Sequence, residues 1–95
     1  MHSYLVRIEL FGSMLSDYPP LHQEMRKAGF STTIKASNGI EYHLPSAEYV
    51  VSTTSLFDEV LKIAKRCANT TKRASAVIVV EFTRWTSDGM TPVKK

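Results

Sequence analysis

Two histidines and a scatter of cations are the side chains of this 95-residue chain with the most chemistry to offer. His22 and Arg26 stand four residues apart, so on a helix they share one face. His43 lies in a segment that alternates like a strand. Metal-free cleavage of RNA needs a base for the 2′-hydroxyl proton, an acid for the leaving oxygen and a cation on the phosphate. Histidine titrates near neutrality, which makes His22 and His43 the acid and base candidates. Arg26 is the candidate cation beside them, with Arg7 and Lys35 as further phosphate contacts. The ordinary reading of each histidine is a surface or hydrogen-bonded side chain, and His2 is incidental.

Other chemistries find no support. A single cysteine, Cys67, leaves no internal disulfide and no cysteine-rich zinc site. There is no glycine-rich phosphate loop, no paired-histidine or paired-cysteine spacing and no nucleophile elbow. The strand aromatics do not follow an RNA-recognition signature. No cofactor and no metal is expected. No apolar stretch reaches the roughly 20 residues that span a bilayer, and the N-terminus is not built like a signal peptide. A cytoplasmic protein without a membrane partner is therefore expected.

Charge is unevenly spread. Residues 1–60 carry a net −3 and residues 61–95 a net +6. Lys62, Lys65, Arg66, Lys72 and Arg73 follow one another with no acid between them. Such a patch attracts phosphate backbones and makes RNA a candidate partner. Its bland reading is a solvated helix face and loop.

The elements that must position these groups are short. Residues 4–11 alternate, with Tyr4, Val6, Ile8 and Leu10 on one face. Pro19-Pro20 suits the first turn of a helix that runs to about Ala28, where Gly29 stops it. Leu21, Met25 and Ala28 form its apolar stripe. Strands are expected over 30–36, 40–44 and 47–53, with Tyr49 and Val51 facing the core. Ser55 is expected to cap a second helix whose apolar arc is Phe57, Val60, Leu61, Ala64 and Ala68. Cys67 reads as a small core residue. Residues 75–85 form the last strand, with Ala76, Ile78, Val80 and Phe82 toward the core.

The register of the central hairpin follows from its alternation. A two-residue Asn38-Gly39 turn would mix polar and apolar side chains on both faces. A three-residue Ser37-Asn38-Gly39 loop sets Ile34 opposite Tyr42, Lys35 opposite Glu41 and Thr33 opposite His43. One face is then apolar and the other polar, as burial of one face requires. The loop predicted is a type I turn closed by a bulge at Gly39.

The order is β-α-β, a hairpin arm, then β-α-β. This predicts an α+β chain, a ferredoxin-like βαββαβ sandwich with an antiparallel sheet, two helices on one face and an extra hairpin arm. Residues 1–85 make the single domain and residues 86–95 a flexible tail. The open sheet face is expected to hold Val77, Val79 and Trp85 as a dimer interface, since exposed apolar patches mark interaction sites. A non-catalytic homodimeric module, using that face for a protein partner, is the alternative to RNA chemistry.

Gly29-Phe30-Ser31 after the first helix, Gly39-Ile40 at the hairpin, then Leu44, Tyr49 and Thr53-Thr54-Ser55-Leu56 entering the second helix carry a resemblance. Over roughly residues 4–83 the chain resembles the GhoS family of small proteins. That family includes a type V toxin-antitoxin component, an endoribonuclease acting on the messenger of a membrane toxin. Its fold is ferredoxin-like and similar to small proteins of CRISPR systems. The resemblance implies an RNA-directed regulator of the endoribonuclease-antitoxin kind. The chain departs from that antitoxin in a shorter first helix, where His22 and Arg26 stand in place of an arginine-rich face.

Overall fold

The computed structural model describes residues 1–94. Alternating apolar residues build strand β1, His2–Leu10, and Tyr4, Val6, Ile8 and Leu10 are all buried, as their spacing predicts. After a single 3-10 turn, Leu15–Asp17, helix α1 spans Tyr18–Lys27 with its prolines in the first turn. Gly29 follows at φ +97°, a conformation that costs glycine nothing. Strand β2 is Thr33–Lys35, β3 Glu41–His43 and β4 Glu48–Thr53. Helix α2 spans Phe57–Asn69 and strand β5 Ser75–Glu81.

The result is an α+β fold. Three antiparallel strands lie in the order β4-β1-β5, and β2 pairs with β3 in a separate hairpin. A Ser31–Val50 bridge ties the approach to β2 onto β4 through two backbone hydrogen bonds, 2.8 and 2.9 Å long. Leu21 and Met25 of α1 and Val60, Ala64, Cys67 and Ala68 of α2 pack with the buried face of β1, Phe30 and Tyr49. The hairpin register is the one its alternation predicts: Thr33 faces His43, Ile34 faces Tyr42 and Lys35 faces Glu41. Gly39 sits at φ +85°, and Ala36 and Ile40 close the loop with a 2.8 Å hydrogen bond.

Four expectations are corrected. β5 turns the other way: Val77 and Val79 pack on the core, while Ile78 and Val80 stay 59% and 45% exposed. The cause is pairing with β1, where Val79 stands opposite Val6 and Val77 opposite Ile8, on the buried face. Val77 and Val79 are therefore not on the open face. Leu5, Ile78, Val80 and Phe82 occupy it instead, and the hairpin and residues 84–90 lie beside it.

In α2, Val60, Ala64 and Ala68 are buried, but Phe57 and Leu61 remain 46% and 41% exposed. Ala28 is likewise exposed, so the α1 stripe narrows to Leu21 and Met25. Finally, Leu56 and not Ser55 occupies the position before α2. The Ser55 carbonyl instead accepts a 2.8 Å hydrogen bond from the Tyr4 hydroxyl.

Beyond β5, residues 91–93 lie beside β3. His43 N donates to Thr91 O and Val93 N to Glu41 O, both at 2.9 Å, around a Tyr42–Pro92 bridge.

Candidate active site

His22 projects from the middle of α1 at the edge of the buried Leu21–Met25 stripe, and its ring is half-buried. Its Nδ1 lies 2.7 Å from the hydroxyl of Tyr49, a fully buried residue of β4. A buried phenol needs a partner for its polar end, and here that partner is the imidazole. The rings are 5.6 Å apart between centroids and tilted by 59°.

Burial first, and then the neighbouring Arg26 cation, hold His22 below the usual histidine range, so its neutral form is favoured. Burial also pushes the Tyr49 hydroxyl far up, reinforced by the nearby Tyr18. The protonated phenol is favoured accordingly. The pair admits two tautomers: Nδ1 accepts the phenol proton and the ring proton sits on Nε2, or Nδ1–H donates to the Tyr49 oxygen and Nε2 carries the free lone pair.

Arg26 follows His22 by one helical turn, and Nη2 donates to Thr32 Oγ1 at 3.4 Å. Among the described residues no carboxylate forms an ion pair with it. His43 comes to the same place from the end of β3. The three sequence-predicted residues His22, Arg26 and His43, with Thr32 and Glu48, line one depression of about 210 Å³. The rest of its lining is the Leu44–Glu48 turn, which contains Ala47 in the left-handed region at φ +63°. That conformation is uncommon for a residue with a Cβ and holds the turn against β1, where Ile8 N donates to Ala47 O at 3.1 Å.

The predicted phosphate contacts are not gathered around this depression. Arg7 projects from the open face of β1, opposite Glu48 and Ile78. Lys35 is exposed on the hairpin. Lys62, Arg66 and Lys72 are exposed on α2 and the loop after it. Lys65 Nζ donates to both the carbonyl and the hydroxyl of Ser75 at 2.7 Å. Arg73 Nε pairs with Asp17 Oδ2 at 3.1 Å. Trp85 borders a groove of about 380 Å³ with Leu5, Ile34, Val80 and Phe82. Cys67 is buried, and burial raises its thiol, in keeping with a packing role.

Tyr49, Thr32 and Glu48 are the site residues that sequence reading misses. Tyr49 carries a usable signal: a tyrosine on a buried strand face must hydrogen bond to something polar. Nothing local to its own strand says that the partner is His22, which is 27 residues earlier in the chain.

No protein-family model and no curated protein matches the chain. No helix among the described residues is long and apolar enough to cross a membrane.

Proposed function

We propose that this protein is an RNA-directed regulator of the ferredoxin-like class that cleaves RNA by acid–base chemistry at the α1 depression. The observation that carries the reading is the convergence of His22, Arg26 and His43, from a helix and a hairpin, on one opening. The fold part draws support from the sheet order β4-β1-β5, with the Ser31–Val50 bridge adding the second crossover segment outside β4.

In the proposed reaction His22, in the tautomer protonated at Nδ1, takes the proton of a ribose 2′-hydroxyl on Nε2. The freed oxygen attacks the adjacent phosphorus, and the bond from phosphorus to the 5′-oxygen of the next nucleotide breaks. Protonated His43 gives its proton to that leaving oxygen. The products are a 2′,3′-cyclic phosphate and a 5′-hydroxyl. Arg26, in no ion pair among the described residues, stabilises the charge that builds on the phosphoryl oxygens. Tyr49 holds the His22 ring in orientation through the 2.7 Å hydrogen bond.

The test uses the purified full chain and a pool of cellular RNAs, with and without EDTA, beside a His22→Ala/Arg26→Ala double variant. Cleavage that resists EDTA, leaves cyclic-phosphate ends and disappears in the double variant is expected. Absence of both cleavage and salt-sensitive RNA retention overturns the reading.

A further inference from the structure

β5 is the outer strand of its sheet, and among the described residues no other segment pairs with its free side. The direction of its backbone groups follows from two bonds to the β1 side. Phe11 N donates to Ala74 O and Phe82 N donates to Ser3 O. Antiparallel pairing alternates, so even-numbered residues of β5 turn their amides and carbonyls to β1 and odd-numbered ones turn theirs outward. The outward carbonyl of Ser75 is taken by Lys65 Nζ. Val77, Val79 and Glu81 are left presenting an unpaired edge. That edge carries no proline, and its one charged side chain, Glu81, stands at the end of the strand and is bonded to His2 Nδ1 at 2.9 Å.

A row of α2 side chains runs beside this edge. Phe57, Leu61 and Lys65 succeed one another at four-residue spacing and so share one side of the helix. Lys65 anchors that side over the start of β5. At the other end the Phe57 ring stands 5.2 Å from Tyr4, whose strand partner is Glu81. The other flank of α2 meets α1, where Cys67 Sγ approaches the Glu24 carbonyl. Phe57 and Leu61 remain exposed because none of the described residues pairs beyond the β5 edge.

We propose that a second copy of this chain occupies that edge. The two β5 strands pair antiparallel about a two-fold axis through Val79, and the two α2 helices meet through Phe57 and Leu61. An antiparallel edge is self-complementary under such an axis, as an isologous interface requires. Val77 of each copy then pairs with Glu81 of the other, and Ile78 lies beside the other copy's Val80. Charge favours the same arrangement. Asp58, Glu59 and Glu81 mark one end of the surface, and Lys62, Lys65 and Arg66 the other. The two-fold sets the acidic end of each copy against the basic end of its mate. This assembly goes beyond the RNA reading and does not depend on it.

Light scattering and amide hydrogen exchange on the full chain test it. At high micromolar concentration the wild type is expected to show twice the single-chain mass, with slow exchange at Val77 and Val79. Leu61→Glu, at an exposed position, is expected to return the single-chain mass and to speed exchange at those two amides. The Val80 amide, directed at β1, stays protected in both proteins and reports that the fold is intact. A wild-type chain that remains single at all concentrations overturns the proposal. So does a double-mass species that Leu61→Glu leaves unchanged.

Discussion

The Tyr49 hydroxyl and His22 Nδ1 stand 2.7 Å apart across the boundary between the core and the α1 depression. The phenol is fully buried and the imidazole half-buried, so the pair joins the packed interior to an opening lined by His22, Arg26 and His43. In Tyr49→Phe the ring packing is kept and the hydroxyl lost. Removing one member of a partly buried pair should lower stability by about 1 to 2 kcal/mol. Urea unfolding checks this, and the same variant should cut RNA cleavage more than RNA binding if Tyr49 orients the base.

The His22 environment fixes the sign of a pH effect. Its folded-state proton affinity lies below the unfolded value, which is about 6.5 for a free histidine. The unfolded chain therefore binds more protons at acid pH, and stability falls as pH falls. The contribution is fully present above about pH 6.5 and is lost as pH drops through the lowered folded value. Unfolding free energies of wild type and His22→Asn, measured across that window, should converge toward the acid side. Curves that stay parallel would place His22 outside the linkage.

Ala47 gives a prediction of the opposite sign. At φ +63° its Cβ crowds the following carbonyl, at a cost of about 1 to 2 kcal/mol for an ordinary residue. Glycine lacks that clash but surrenders more chain entropy on folding. Ala47→Gly should therefore stabilise the protein by a net of about 0.5 to 1 kcal/mol. A raised denaturation midpoint with an unchanged denaturant slope is the expected outcome.

The hairpin shows where reading a sequence works. Its register follows from one apolar and one polar face, and only the Lys35–Glu41 alignment separates them cleanly. The buried face of β1 was equally legible, since Arg7 and Glu9 interrupt the other side. His22 and Arg26 share a helix face by spacing alone. That His43 joins them depends on how the hairpin folds back toward α1, a contact between segments about 20 residues apart.

β5 marks the boundary most clearly. Val77 and Val79 alternate with Ile78 and Val80, so both faces are apolar and periodicity has nothing to distinguish. The choice falls to long-range pairing, which sets Val79 against Val6 and Val77 against Ile8. Phe57 and Leu61 follow the same logic: their spacing suits a buried arc, but β5 is the edge strand and no described segment covers them. Alternation with one polar face is a local property and can be read from neighbouring residues. Where both faces are apolar, burial belongs to whichever side meets another part of the chain, and only the assembled fold selects it.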